Sequence, residues 1–367
     1  MRQVIATIAL FAALVGAAVP ASSATSPAYI VVDVEDGTVL SHRSADKPWY
    51  PASITKVMTA YVVFRALAAG EITLQSPVKV SRNALNEPPS KMGYKVGTVM
   101  TVDNALKMMI VKSANDIAVA IGESVAGSEA AFVARMNAEA RRLGMRTTNF
   151  NNPNGLPDSG QISSARDLAV LGRAAWLDFP QHRHYFRITA IQAGTKVIRS
   201  YNTLLGRYRG ANGMKTGFIC DSGYNLMGSA TRNGRTLIVV VLGAPSGGER
   251  AELAASLLTR GFQRWLSPWG RPNVATLGAA GSSARPVSLR PEICSAEARA
   301  ARAQAGQVGP VKSALVPRFA LMDPVRVFTG GVAAPAPNIP LPRLRPKRAE
   351  DRSAAALGGG AATTAVQ

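Results

Sequence analysis

The chain has 367 residues, 47% of them hydrophobic, and 42 Lys and Arg against 22 Asp and Glu give a formal net charge of +20. This length and apolar content allow one large domain or two ordinary ones. Two cysteines are too few for a disulfide-rich scaffold or a four-thiolate zinc site, and three histidines argue against a histidine-built metal centre. We therefore expect no metal and no cofactor. The positive charge favours contact with acidic polymers but does not select one.

Residues 1–24 have the three-part pattern of an export signal. A short basic start, Met1-Arg2-Gln3, precedes an apolar or small run over 4–19, and a small-x-small site ends at Ala24. The run of 16 residues is short for a helix that crosses a hydrocarbon core of about 30 Å. We expect a signal peptide over 1–24 and export of the protein, with an uncleaved N-terminal anchor as the alternative. Export argues against a nuclear or cytoplasmic nucleic-acid binder.

The region over 26–268 is predicted to form one α/β domain. Asp36-Gly37 lies between two β-rich segments and predicts a hairpin over 28–42. Asn233-Gly234, between apolar runs within 213–244, is the strongest hairpin signal in the chain. The apolar spacing predicts helices from 53 to about 70 and over 103–110, 114–125, 130–143, 166–177 and 249–266, with a turn-rich loop over 152–160. Because strands come from both ends with helices between them, we expect the C-terminal strands to complete the sheet.

The composition changes after residue 268. Residues 269–367 contain 11 prolines, many alanines, and 13 Lys and Arg against 5 Asp and Glu. A segment this poor in large apolar residues cannot build a core. We expect 269–367 to be a Pro/Ala/Arg-rich, largely disordered tail.

Ser53-Ile54-Thr55-Lys56 places a hydroxyl and an amine one helical turn apart, on the same face. A serine hydroxyl is a poor nucleophile until a base removes its proton, and a buried lysine can be that base. Ser44-Ala45-Asp46-Lys47 and Ser76-Pro77-Val78-Lys79 also fit S-x-x-K, but only Ser53 opens a long helix with apolar periodicity. The alternative for Ser53 is a helix N-cap.

Ser113-Ala114-Asn115 is a second candidate, because a hydroxyl followed by an amide can move a proton and hold a substrate carbonyl. It lies at a loop-to-helix junction, unlike the other S-x-N segments, Ser81-Arg82-Asn83 and Ser200-Tyr201-Asn202. The alternative is again a helix N-cap.

Lys215-Thr216-Gly217 is the only K-T-G segment in the chain. Lysine and threonine on an edge strand can bind a carboxylate, and the glycine lets a substrate backbone approach closely. The alternative is an ordinary edge strand with a solvated lysine.

The order S-x-x-K, S-x-N, K-T-G is that of the penicillin-recognising serine enzymes. Over about 26–266 the chain resembles the serine-type D-alanyl-D-alanine carboxypeptidases, the low-molecular-mass penicillin-binding proteins. The resemblance is carried by PASITKVMTA, VKSANDIAVA, NPNGLPDSGQISSARDLA, GMKTGFICDSGYNL and VVLGAPSGGERAELAASLL.

The resemblance implies a penicillin-binding transpeptidase/β-lactamase-like α/β fold, an antiparallel sheet flanked by helices with an inserted helical subdomain. It implies a peptidoglycan D,D-carboxypeptidase of the periplasm or cell envelope, which takes stem peptides ending in D-Ala-D-Ala and is inhibited by β-lactams. Ser53 would be the acylated nucleophile, Lys56 its proton acceptor and Ser113 a proton relay. Asn115 would hold the peptide. The terminal carboxylate would be bound by Lys215, Thr216 and Arg250, and the oxyanion by the backbone N–H groups of Ser53 and Phe218.

Three departures from the family's pattern bear on this assignment. Phe218 stands where many relatives have a polar residue, which would alter substrate preference. The tail does not resemble the family's C-terminal β-domain and amphipathic anchor. The deacylating E-x-x-L-N loop of class A β-lactamases is missing, so we expect a long-lived penicillin adduct on Ser53.

Three other functions use the same observations. A D,D-endopeptidase or transpeptidase would need the same residues, whereas a non-catalytic wall-binding protein would have no need of Lys56. The charge alone would also suit a nucleic-acid or membrane-surface binder, but no aromatic residues are interleaved with the basic clusters, so we expect no nucleic acid. The basic run over 343–348 is typical of a solvated linker, with a peripheral contact to membrane or wall as the alternative.

Cys220 and Cys294 are the only thiols in the chain. Export would place them where disulfides persist. We expect a bridge between them that ties the tail to the strand after Lys215, with two unrelated buried thiols as the alternative.

Overall fold

A computed structural model describes residues 26–263, 270–278, 285–305, 313–317, 319 and 321–330. The predicted signal peptide over 1–24 and the basic run over 343–348 lie outside them. The strands in the described part are β1 (Ala28–Asp33), β2 (Val39–Arg43), β3 (Pro77–Lys79), β4 (Val99–Thr101), β5 (Ala190–Ala193), β6 (Lys196–Arg199), β7 (Ala211–Ile219), β8 (Gly223–Arg232), β9 (Arg235–Ala244) and β10 (Val325–Val327).

The main sheet is antiparallel and has the order β2-β1-β9-β8-β7. The N-terminal hairpin therefore pairs with the last hairpin of the domain, as the sequence predicts. Arg232 faces Arg235 across the tight turn between β8 and β9. Asn233 and Gly234 have φ of 49° and 78°, the left-handed conformations that a two-residue hairpin turn requires. Two small sheets, β3-β4 and β10-β5-β6, lie outside the main one.

Among the described residues, helices lie on both faces of this sheet. They are α1 (Thr55–Ala68), α2 (Arg82–Asn86), α3 (Val102–Val111), α4 (Asn115–Ala126), α5 (Glu129–Arg142), α6 (Ala165–Asp178), α7 (His184–Arg187), α8 (Gly247–Gln263), α9 (Arg290–Cys294) and α10 (Ala296–Ala305), with 3₁₀ turns at Ala52–Ile54 and Pro180–His182. The helices predicted from apolar spacing occur within about three residues of their expected bounds.

Each face of the sheet has its own core because side chains alternate along a strand. Ile238 and Val240 of β9 pack in one core with α1, α3, α4 and α6. Val239 and Val241 pack in the other with α8, through Leu257 and Leu258. The first core also holds the helices inserted between β2 and β5. Of these, α6 packs on β1 and β9, and α1 and α7 contact the edge strand β7.

Several described segments after residue 269 pack against the domain. Cys220, just after β7, forms a disulfide with Cys294 of α9, with 5.7 Å between the Cα atoms. Asp221 pairs with Arg290 beside this bond, with 2.6 Å between Oδ2 and Nη2. Strand β10 pairs in parallel with β5. The sequence-based boundary at residue 268 leaves out these segments, which are short and have few large apolar residues of their own.

Within the described residues no single helix is long and apolar enough to cross a membrane. Helices α4 and α5 reach that length and composition only as a pair, with an 86° bend between them.

Candidate active site

Ser53 lies in the 3₁₀ turn that leads into α1, and Lys56 lies in the first turn of the helix. Neither the turn nor α1 has a side-chain cap, so Ser53 is not an N-cap. Lys56 is completely buried, and its Nζ lies within hydrogen-bond distance of Ser53 Oγ, at 3.1 Å. The sequence therefore folds so that the hydroxyl and the amine of the S-x-x-K segment meet.

Two further acceptors surround the Lys56 amine. Nζ donates to Asn115 Oδ1 over 2.8 Å and to the Asn154 carbonyl over 2.6 Å. Burial lowers the pKa of Lys56 well below its usual value, and the nearby Lys215 charge lowers it further, whereas Glu87 and Asp116 act in the opposite direction. The site thus favours a neutral amine, the form that can accept a proton from a hydroxyl.

The loop that carries Asn154 packs against the turn that carries Ser53. Thr59 Oγ1 of α1 donates to the Pro153 carbonyl over 2.6 Å. Gly155 has φ of 83°, and a Cβ there would lie only 1.9 Å from the Ala52 carbonyl oxygen. Glycine is therefore required at this position, and the turn-rich loop predicted over 152–160 forms one wall of the site.

Ser113 joins α3 to α4 in the left-handed conformation, with φ of 61°. The N-cap of α4 is Ala114, which rules out the capping role for Ser113. Lys215 Nζ donates to Ser113 Oγ over 2.9 Å. Burial, and then the Arg250 charge, lower the pKa of Lys215 to about 7. The second and third motifs therefore meet, although they are 102 residues apart.

The K-T-G segment lies on β7, which passes directly beside the turn that carries Ser53. A Cβ at Gly217 would lie 3.0 Å from both the Pro51 carbonyl oxygen and the Ser53 backbone nitrogen. The absence of a side chain thus permits this approach. The next residue, Phe218, is 42% exposed and packs on Tyr224, with 4.3 Å between the ring centroids.

Arg250, in the first turns of α8, brings a third buried cation to this region. Its guanidinium makes two long hydrogen bonds, 3.4 Å to the Asn225 carbonyl and 3.3 Å to the Tyr201 carbonyl, and its Nε has no partner. Burial lowers the pKa of Arg250 to about 10. None of Lys56, Lys215 and Arg250 forms an ion pair with a described carboxylate. Such a cluster can bind an anion.

Sequence reasoning missed four residues that hold this arrangement. Asn154 and Glu87 lie beside Lys56, the Asp116 carboxylate accepts from Met92 N and Gly93 N, and Asn225 Nδ2 donates to the Tyr50 carbonyl over 2.9 Å. Asn154 and Asn225 lie in the segments that carry the family resemblance, which is the signal that could have found them. Nothing in the local pattern marks Glu87.

The other motif matches are not brought to the site. Ser76 Oγ accepts from the Thr73 backbone N–H, and Lys79 is exposed. Ser81 caps α2 through the Ala84 N–H. Within the part of the chain that the structure describes, no group of three or more His, Cys, Asp or Glu side chains could hold a metal ion.

A family model described as D-alanyl-D-alanine carboxypeptidase matches residues 15–246. The chain belongs to the D-alanyl-D-alanine carboxypeptidase family. One relative, D-alanyl-D-alanine carboxypeptidase DacC of Escherichia coli, is 38% identical over 252 residues, which are 67% of this chain and 63% of that protein. The chain thus spans less than two thirds of the length of this relative.

Solved structures of penicillin-binding proteins share the fold of this family member. Penicillin binding protein 6B from Escherichia coli has 35% identity and a TM-score of 0.62, covering 64% of this chain and 77% of that one. Penicillin-Binding Protein D2 from Listeria monocytogenes, in its cefotaxime-bound form, has 31% identity and a TM-score of 0.59, covering 64% and 96%. These similarities confirm the predicted fold class and family.

Proposed function

We propose that this protein is a peptidoglycan D,D-carboxypeptidase that removes the terminal D-alanine from stem pentapeptides through an acyl-enzyme on Ser53. The observation that carries the proposal is the buried Lys56 amine, 3.1 Å from the Ser53 hydroxyl and hydrogen-bonded to two carbonyl-type acceptors. A non-catalytic binding protein has no use for a buried base beside a hydroxyl, because burying an unpaired amine destabilises the fold.

The acceptors around Lys56 prepare it to be the base. A neutral amine has two N–H donors and one lone pair. Asn115 Oδ1 and the Asn154 carbonyl accept the two N–H groups, which leaves the lone pair toward Ser53 Oγ. Lys56 takes the hydroxyl proton as Ser53 Oγ bonds to the carbonyl carbon of the penultimate D-alanine.

The remaining steps use groups on β7 and at the start of α4. The backbone N–H groups of Ser53 and Phe218 stabilise the oxyanion, a type of contact worth about 3 kcal/mol of barrier. Ser113 gives its hydroxyl proton to the nitrogen of the departing D-alanine as the C–N bond breaks. Ser113 then recovers a proton from Lys215 Nζ, 2.9 Å from its Oγ, and transfer of the proton held by Lys56 to Lys215 restores both amines. The neutral Lys56 then takes a proton from a water molecule as the water oxygen bonds to the ester carbonyl carbon, and it returns that proton to Ser53 Oγ as the ester C–O bond breaks.

The terminal carboxylate of the substrate would supply an anionic partner for Lys215 and Arg250, neither of which forms an ion pair with a described carboxylate. Lys215, Thr216 and Arg250 are all buried. The partnerless Nε of Arg250 and the two buried cations match a free carboxylate better than an internal peptide group. This charge requirement favours an exopeptidase that acts on chain ends.

The same site accounts for β-lactams as inhibitors. A β-lactam amide would acylate Ser53 as the substrate does, and its own carboxylate would meet Lys215 and Arg250. The relative from Listeria monocytogenes is known in a cefotaxime-bound form. We expect the penicillin adduct on Ser53 to be long-lived.

The test is mass spectrometry of a pentapeptide muropeptide incubated with the full chain, beside Ser53→Ala and Ser76→Ala. Ser76 belongs to an S-x-x-K segment outside the site, so its variant is the matched control. Loss of one D-alanine by the wild type and Ser76→Ala, but not by Ser53→Ala, supports the proposal. No loss despite acylation of Ser53 by penicillin would point to cross-linked substrates and an endopeptidase. Neither release nor acylation would indicate a binding protein.

We also propose that residues 1–24 export the protein to the periplasm or cell envelope. The apolar run over 4–19 and the nature of the proposed substrate support this location. Cell fractionation of the full chain and of a chain lacking 2–24 tests it, and an unchanged location of the shortened chain would contradict it.

A further inference from the structure

Glu87, the C-cap residue of α2, is linked to Lys56 by hydrogen bonds through one intervening residue, Asn154. Its Oε2 accepts from Asn154 Nδ2 over 2.9 Å. The carbonyl of the same Asn154 accepts from Lys56 Nζ over 2.6 Å. Asn154 is almost completely buried, so its side chain has no freedom to exchange Glu87 for solvent. Glu87 therefore holds Nδ2 of the Asn154 amide, whose Oδ1 accepts from Leu156 N, and the carbonyl of Asn154 binds the amine.

The segment that follows Glu87 holds the second acceptor of Lys56. The Pro88 carbonyl accepts from Asn115 Nδ2 over 2.9 Å, and the Ser90 carbonyl accepts from Asn115 N over 2.7 Å. With its Nδ2 bound to Pro88, Asn115 presents Oδ1 to Lys56. Residues 87–90 thus orient both acceptors, and the acceptors decide where the lone pair of a neutral Lys56 points.

Glu87 also adds a negative charge near Lys56. It lies at the end of α2, whereas the other charged groups around Lys56 lie on β7 and α4. Lys56 is faced by Lys215 of β7, by Asp116 of α4 and by Glu87. Asp116 is committed to the backbone N–H groups of Met92, Gly93 and Ile117. Glu87 itself is half-buried and faces Glu129, Asp116 and Lys56; burial, and then Glu129, raise its pKa.

We propose that Glu87 is a positioning residue for the acyl transfer. It orients Asn154, and its negative charge beside Lys56 partly offsets the positive charge of Lys215. The inference rests on the proposed function, because it concerns the same base. Removal of the charge alone would disfavour the protonated amine, so Lys56 would stay neutral to lower pH. Removal of the hydrogen bond as well would let Asn154 turn and misdirect the lone pair.

Two variants of the full chain distinguish the charge of Glu87 from its hydrogen bond to Asn154. Glu87→Gln keeps an oxygen for Asn154 Nδ2 and removes the charge, whereas Glu87→Ala removes both. For Glu87→Gln we expect the acid limb of the kcat/KM profile to move to lower pH by about one unit. For Glu87→Ala we expect the same shift and a plateau lower by roughly tenfold or more, as a misplaced base produces.

The matched control is Glu71→Gln, the same change at an exposed carboxylate that accepts from Arg135 Nη1 and faces neither Glu87 nor Lys56. Its acid limb should coincide with that of the wild type. A Glu87→Gln profile that coincides with the wild type, or equal losses in Gln and Ala variants without a shift, would overturn the inference. The rate of penicillin acylation of Ser53 is measured over the same pH range. If the wild type acylates but releases no D-alanine, the carboxypeptidase proposal fails, and the acylation profile alone decides for or against Glu87.

Discussion

Replacement of Lys215 by methionine should destroy activity and, at neutral pH, stabilise the substrate-free protein. The side chain is buried among uncharged groups and a second cation, Arg250, with hydrogen bonds only to Ser113 Oγ (2.9 Å) and the Thr216 carbonyl (3.0 Å). Methionine has a similar length and no charge, so it removes the cost of the buried ammonium while it fills the same space.

The size of the effect follows from the pKa of Lys215, which falls from 10.5 in the unfolded chain to about 7 in the folded one. A pKa difference of one unit corresponds to about 1.4 kcal/mol, so the folded state at pH 7 loses on the order of 4 kcal/mol through this group. Loss of two hydrogen bonds of about 1 kcal/mol each opposes the gain. We therefore expect Lys215→Met to raise the free energy of unfolding by about 2 kcal/mol at pH 7.

The sign should change with pH. Between the folded and unfolded pKa values the unfolded chain binds more protons, so this group makes the wild type more stable as the pH rises from about 7 to 10.5. At pH 10.5 the charge penalty is nearly gone and the two hydrogen bonds remain. Lys215→Met should then be less stable than the wild type by about 1–2 kcal/mol.

The assay is urea unfolding at both pH values, without substrate or reductant. Lys79→Met is the control, since Lys79 is exposed and belongs to an S-x-x-K segment outside the site. It should change the free energy of unfolding by less than about 0.5 kcal/mol at either pH. A Lys215→Met variant that is destabilised at pH 7, or whose stability difference is the same at both pH values, would refute the reasoning.

Three shorter predictions concern Arg250, Gly217 and the disulfide. Arg250→Ala removes the cation that lowers the pKa of Lys215, so the alkaline limb of kcat/KM should move to higher pH while KM for the pentapeptide rises about tenfold or more. Gly217→Ala places a Cβ 3.0 Å from Ser53 N and should lower kcat/KM by about 10²-fold, whereas Gly248→Ala, with an open site on α8, should not; equal activities would contradict the close approach. Cys294→Ser opens a loop with a sequence separation of 74 and should lower the free energy of unfolding by about 4 kcal/mol in urea, as should reduction of the wild type; a loss below about 1 kcal/mol would show that the bridge does not constrain the unfolded chain.

The fold was predictable where the pattern is local and strong. Asn233-Gly234 between two apolar runs specifies a hairpin because both residues tolerate the left-handed conformation. Helices α1, α3, α4, α5 and α6 follow from apolar residues at three- and four-residue spacing, since each buries one face. Strands β5, β6 and β10 were not predicted. They are three or four residues long, and β10 forms only by pairing with a strand more than 130 residues earlier.

The three motifs were predictable as candidates, but their mutual geometry was not. Lys56 and Ser53 are three residues apart, so helical spacing alone places them together. The other acceptors of Lys56 lie 59 and 98 residues away, at Asn115 and Asn154. No periodicity encodes such contacts. The Asn154 contact arises when the loop over 152–160 packs on α1, and the Asn115 contact arises when α4 packs on α1. The family resemblance is the only sequence signal that reaches them.

The site concentrates features that oppose stability. Ala52 and Ser113 are non-glycine residues with φ of 49° and 61°, and each such position costs about 1–2 kcal/mol. Ala52 directly precedes Ser53, and Ser113 itself accepts from Lys215 Nζ in this conformation, where an unstrained turn would direct these hydroxyls elsewhere. Together with the buried cations, this strain is balanced by the two continuous cores on either side of the sheet. A bound carboxylate neutralises the charge part of this cost, so substrate binding should stabilise the protein more than its contact area suggests.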